Sequence, residues 1–350
     1  MAASLISDNT APRRVLVVGP SWIGDMVMAQ SLFISLAERY PDCRIDVIAP
    51  EWSLPLLERM PQVHEGVTLP VGHRELAFTW RRRIGDSLRQ NAYDQALILP
   101  RSLKSALIPF FARIPRRTGY KGEMRFGLIN DIRPLDRDVL RQTVQRFVAL
   151  GQDADTRQPP SIPQPRLQVD DANLSHLMGE LGLDAQAKVI AMMPGAEYGP
   201  AKQWPADYYA ALARQLTSDG FEIWLLGSER DVALGEQIIA ATTKGVRNLC
   251  GKTRLVDTVD LIARAQAAVT NDSGLMHVAA AVGCPLVAIY GSSTPVYTPP
   301  LAASASVLYL HLGCSPCFKP DCPLGHTNCL RDIHPTYVYQ AVTEQLQGNQ

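Results

Sequence analysis

Arg14-Val-Leu-Val-Val-Gly19-Pro-Ser-Trp-Ile-Gly24-Asp25-Met-Val-Met-Ala-Gln-Ser-Leu32 sets the fold class. Val15–Val18 is a short β-branched run closed by Gly19, and apolar residues recur at helical spacing from Met26 to Tyr40. That reads as strand, loop and helix. Working outward, Ile45–Ala49 and Ala96–Leu99 read as further strands, with a helical stretch over Ile84–Gln90 between them. Such alternation implies a mostly parallel sheet covered by helices.

The pattern stops in the Pro-rich stretch GQDADTRQPPSIPQPRLQ, which can neither bury a face nor build a helix. It then restarts: strands at Val189–Met193, Glu222–Leu226, Ala267–Thr270 and Leu286–Tyr290, helices at Pro205–Ser218, Val232–Ala241 and Leu275–Val282. The expected organisation is a polar extension (1–12), a Rossmann-like acceptor domain (13–150), a linker (151–168), a Rossmann-like nucleotide-sugar domain (169–335) and a C-terminal helix or tail (336–350). The fold class is α/β, two facing doubly wound domains. Ligands of open parallel sheets bind outside the carboxyl ends of the strands, so the loops after Val18, Met193, Leu226 and Thr270 matter most.

Composition narrows the class. At 350 residues the chain exceeds what one core usually serves. No apolar run approaches the roughly 18 residues a membrane span needs, and the polar start carries no export signal. A cytoplasmic protein is expected, and its seven cysteines read as reduced thiols. Net charge is zero, which argues against a nucleic-acid binder. Residues 1–166 nevertheless hold 23 Lys+Arg against 17 Asp+Glu, and the remainder 11 against 17. Ordinary scatter explains that asymmetry, and so does a phosphorylated acceptor held by the first half.

The first loop, Gly19–Asp25, is neither a dinucleotide fingerprint nor an ATP-binding loop, since both glycine spacings are missing and Pro20 removes an amide. Asp25 sits where a helix N-cap belongs; its alternative role is general base toward a sugar hydroxyl. The second loop, Pro194–Pro205, combines Gly195, other small residues and Lys202, and suits a phosphate better than a solvated surface. Thr270-Asn-Asp272-Ser273-Gly274-Leu-Met-His277 turns a strand into an apolar helix, an anion site by its amides. Asp272 there either caps the helix or accepts from a hydroxyl, and His277 is equally a core histidine or a ligand. Gly227, Ser228 and Glu229 suit a ribose, although a surface glutamate is the simpler account of Glu229. A base on one domain and phosphate-directed groups on the other is the logic of a transferase.

At these loops the chain resembles the bacterial lipopolysaccharide heptosyltransferases. The matching stretches are GPSWIGDMVMAQSL, RSLKSALIPFFARIPRRTGYKGEMRFGLIND, PGAEYGPAKQWP and TNDSGLMHVAAA. The resemblance implies a GT-B glycosyltransferase of two Rossmann-like domains that moves heptose from ADP-heptose, with inversion, to the first inner-core heptose of heptosyl-Kdo2-lipid A. It implies Asp25 as base, Lys202 on the diphosphate, Asp272 with Gly274 in the donor loop, Glu229 at the ribose, and Thr253 and Leu255 near the adenine; Ser273 and His277 join the donor-binding candidates from their place in the same loop. It implies a phosphorylated lipid acceptor at the inner face of the inner membrane. Arg116, Arg117, Lys121 and Arg125, with Arg101 and Lys104, would meet that acceptor by Coulomb attraction. No cofactor and no metal are implied, because lysine and helix amides can neutralise the departing ADP. Transfer of another inner-core heptose and nucleotide-sugar epimerisation remain alternatives, as does a binding protein that has lost its chemistry.

Cys314, Cys317, Cys322 and Cys329, near His326, stand outside the resemblance. The C-x-x-C start suits tetrahedral zinc, whereas the six residues between the second pair are looser than a usual knuckle. Free thiols in an irregular loop are expected, with structural zinc as the alternative.

Overall fold

The computed structural model describes residues 12–70, 75–154, 158–242 and 244–348. The expected polar extension lies outside them up to residue 11, as do 155–157 of the linker and the last two residues of the tail. The chain divides into two compact units. One comprises residues up to Ser21, Ser31–Leu140 and Gln145–Pro163; the other comprises Trp22–Gln30, Arg141–Val144 and Gln164 onward.

The first unit holds β1 (Arg14–Val18), β2 (Arg44–Pro50), β3 (Val63–Leu69), β4 (Gln95–Ile98), β5 (Arg116–Tyr120) and β6 (Asp131–Arg133). They form one parallel sheet in the order β3-β2-β1-β4-β5-β6. The second holds β7 (Lys188–Met193), β8 (Phe221–Leu225), β9 (Val246–Asn248), β10 (Ala267–Asn271), β11 (Leu286–Ile289) and β12 (Ala305–Leu308), ordered β12-β11-β10-β7-β8-β9 and again parallel. Each is the doubly wound order, reversing direction beside its first strand, between β1 and β4 and between β7 and β10. That reversal leaves a crevice where the flanking loops diverge.

The central strands are apolar on both faces: Val15, Leu16 and Val17, and Val189 through Met192, are fully buried. Covering helices enclose them, as a parallel sheet requires. The expected strands and most expected helices form within about two residues of their limits. The helix expected from Ile84 starts at Phe78 instead. Its first turns carry Arg81–Arg83, a polar run that hides the period, yet Arg81 is buried with Nε donating to the Leu76 carbonyl at 2.8 Å. The basic stretch expected as acceptor surface is partly strand: Arg116–Tyr120 is β5, held between β4 and β6. Among the described residues no helix is long and apolar enough to cross a membrane.

Candidate active site

The helix that follows β1 spans Ile23–Arg39, and the Met26 N–H already donates to the Trp22 carbonyl at 2.9 Å. The cap is therefore Trp22. Asp25 stands inside the first turn, not at the N-cap position expected from the loop, because the helical hydrogen-bond ladder already opens at Trp22. A carboxylate in a first turn is still favoured by the helix dipole.

This helix start packs with the second unit, against the start of the helix Gly274–Ala281. Two glycines permit the approach. A Cβ on Gly24 would lie 2.6 Å from His277 Cδ2, and one on Gly274 would lie 2.8 Å from Ile23 Cβ. Two positive helix ends and Asp25 thus converge beside Asp272 and Lys202. Among the described residues no hydrogen bond reaches the Asp25 carboxylate. Desolvation pushes its pKa up to about 6, with Lys202 pulling down and Asp272 pushing up. It is a half-buried carboxylate with its oxygens uncommitted, ionised at neutral pH and more basic than an ordinary aspartate.

Lys202 and Asp272 meet at the β7–β10 switch point. Lys202 Nζ donates to Asp272 Oδ2 at 2.5 Å and lies 5.3 Å from the centre of the Tyr198 ring. Asp272 is buried and also accepts from the Ser293 hydroxyl. It therefore does not cap the following helix: Ser273 is the N-cap residue, and its Oγ faces Thr270 Oγ1 at 3.3 Å. His277 is buried beneath, and desolvation drives its pKa down to about 4 against the pull of Asp272. It is a neutral imidazole.

Asn271 holds the lysine loop in place. Its amide donates to the Pro194 carbonyl at 2.8 Å, and its oxygen accepts from the Trp204 N–H at 3.0 Å. Trp204 is wholly buried, anchored by Nε1 to the Ile333 carbonyl. Asn271 and Ser293 do not stand out in the sequence. Their only signal there is position, since both stand at or just past the carboxyl end of a strand.

The other donor-side candidates surround β8. Asp231 Oδ2 accepts from Ser228 N and Oγ at 2.8 Å each, and its carboxylate lies against Gly195 and Gly227, where no side chain would fit. Glu229 is exposed, and its Cα lies 3.0 Å from where a Cβ on Gly251 would be. That contact brings it to the loop of Thr253 and Leu255, Leu255 opening the helix Leu255–Arg264. The expected ribose and adenine groups are thus neighbours.

The basic residues of the first unit divide. Arg101 and Lys121 are exposed. Arg116 pairs with Asp131 at 3.1 Å, and Arg117 donates to the Leu128 and Ile114 carbonyls at 2.7 and 2.6 Å. Lys104 is half-buried in a short 3-10 turn. Arg125 differs from the expectation: it is buried, with its guanidinium on the Tyr120, Pro100 and Ser102 carbonyls. Burial and Arg101 lower its pKa to about 10, so it stays charged. A guanidinium so committed anchors its loop.

A family model described as glycosyltransferase family 9 (heptosyltransferase) matches residues 81–328. The chain belongs to this family. Over 342 residues it is 48% identical to lipopolysaccharide heptosyltransferase 2 of Salmonella typhimurium, covering 95% of this chain and 97% of that one. It is 44% identical over 344 residues to lipooligosaccharide heptosyltransferase 2 of Haemophilus influenzae, with coverage of 95% and 99%. The solved structure of E. coli ADP-heptose lipopolysaccharide heptosyltransferase II matches with TM-score 0.85 and 44% identity over 96% of this chain and 99% of that one. The resemblance expected from the four stretches holds: the protein is a glycosyltransferase of the GT-B fold. A UDP-N-acetylglucosamine 2-epimerase shares only that fold, at 11% identity and TM-score 0.55.

Proposed function

We propose that this family 9 member transfers heptose from ADP-heptose to the first heptose of heptosyl-Kdo2-lipid A, with inversion at the anomeric carbon. The observation that carries the reading is the meeting of Asp25, Lys202 and Asp272 where two helix N-termini converge, in a chain nearly half identical to heptosyltransferases 2. Asp25 removes the proton of the acceptor hydroxyl. The oxygen bonds to the anomeric carbon as the bond to the diphosphate breaks, and ADP leaves from the opposite face. Lys202 exchanges part of its contact with Asp272 for the diphosphate, and Asp272 keeps it poised. The amides of Ser273 and Gly274 and those near Gly195 add to the neutralisation. Gly227, Ser228 and Glu229 hold the ribose; Thr253 and Leu255 border the adenine. His277, neutral, packs under Gly24.

On the acceptor side Arg101 and Lys121, with the outward parts of Arg116 and Arg117, attract phosphates of the lipid at the inner membrane's cytoplasmic face. Nothing in this scheme uses a metal at the reacting centre. The test compares ADP release with ADP-heptose and each of two acceptors, Kdo2-lipid A and heptosyl-Kdo2-lipid A. ADP should appear only with the second. Release with the first alone would move the enzyme to the first inner-core heptose, and epimerised donor without acceptor would overturn transfer.

A further inference from the structure

We propose that Cys314, Cys317, Cys322 and Cys329 bind one transition-metal ion through four thiolates, zinc(II) by preference, and that this ion clamps residues 314–329 onto the Lys202 loop. The four side chains line one small recess together with His326, Ala201 and Ser292. Residues 309–327 contain neither helix nor strand, and Phe318 and Leu324 are exposed, so little apolar burial holds this long segment. Irregular stretches of that length are uncommon in a compact fold and usually serve a function. The turn Cys322-Pro-Leu-Gly325 supplies the geometry. Gly325 takes φ +72° and its N–H donates to the Cys322 carbonyl at 3.1 Å, closing a tight turn directly after Cys322.

Among the described residues no three of these sulfurs stand within 4.8 Å of one another. Tetrahedral Zn–S bonds of about 2.3 Å would draw them to separations of about 3.8 Å. Among the described residues the one group of donors within 4.8 Å of one another, Asp46, His64 and Glu65, is occupied otherwise: Asp46 accepts from the Tyr93 hydroxyl at 2.6 Å, and His64 meets Arg44. The cysteine segment is sewn to the lysine loop. Ala201 N–H donates to the Pro320 carbonyl at 2.9 Å, Tyr198 O–H to the Phe318 carbonyl at 2.7 Å, and Phe318 N–H to the Ser292 carbonyl at 2.7 Å. Ser293, next along, holds Asp272.

The test is metal analysis of the whole protein purified in reducing buffer without chelator, followed by cobalt(II) exchange. About one equivalent of zinc or iron, and thiolate-to-cobalt charge-transfer absorption after exchange, support the site. The double variant Cys317→Ser with Cys322→Ser should lose the metal, melt lower and show a raised KM for ADP-heptose. Only that kinetic consequence rests on the proposed function; metal content and spectra do not. Less than about a tenth of an equivalent in the wild type, with no uptake from added zinc or cobalt, overturns the site, as do two disulfides in protein kept reduced. These wild-type measurements decide the matter even if the variant does not fold.

Discussion

Replacing Asp25 by Asn should make the protein more stable while nearly abolishing transfer. The folded-state pKa of about 6 exceeds the ordinary 3.8, so the buried environment disfavours the carboxylate that the proposed transfer uses as its base. A rise of that size corresponds to at most about 3 kcal/mol at neutral pH, and the half-exposed position reduces that. Asparagine also forgoes the dipole contact of a first-turn carboxylate, a further loss of roughly 0.3–1 kcal/mol. A net gain of about 1–2 kcal/mol remains, raising the melting temperature of the unit that holds Asp25 by about 2–8 °C. Because the folded pKa is raised, the wild type carries the full penalty above about pH 6 and sheds it as pH falls toward 4, so the variant's advantage should fade over that window. Transfer should fall by roughly two to four orders of magnitude, since the amide accepts no proton. The assays are calorimetry from pH 4 to 8 and ADP release at saturating donor. Activity above about a tenth of wild type would remove Asp25 as the base, and a melting temperature that does not rise at pH 7 would remove the desolvation penalty.

Other consequences rest on the same geometry. The wild-type kcat/KM should rise with pH through about 6 and level off above it, with no limb from His277, whose proton is lost near 4; a pH–rate profile checks this. Lys202→Ala should cost one to three orders of magnitude in turnover and also lower the melting temperature, because it strips the partner from buried Asp272; steady-state kinetics and calorimetry read both. Gly24→Ala should cut turnover at least about tenfold in a folded protein, since the new Cβ would push against His277 and part the two helix starts. Arg101→Glu with Lys121→Glu should raise the acceptor KM, more at low salt, and leave the KM for ADP-heptose unchanged.

What could be read in advance depended on how local the physics is. Val15–Val18, Val189–Met193 and Leu286–Ile289 announce themselves because strands buried on both faces admit only apolar residues. Edge and outer strands do not: β3, VHEGVTL, is mostly exposed and β5 begins with two arginines, so each resembles a loop until its partner is known. The candidate loops were readable because Gly, Pro and charge cluster after apolar runs. The partners inside them were not: that Asp272 takes Lys202 and Ser293 while Ser273 caps, or that Arg125 spends its guanidinium on carbonyls, depends on residues up to 70 positions apart.

Two parallel α/β sheets, the loops at their carboxyl ends and the family are therefore written in the amino-acid order alone, because periodicity and motif spacing are properties of neighbouring residues. That Asp25 lies within its helix with a pKa of about 6, and that the neighbouring Gly24 meets His277, emerges only on folding. Desolvation and close approach are set by what packs against a residue, and those atoms come from distant parts of the chain.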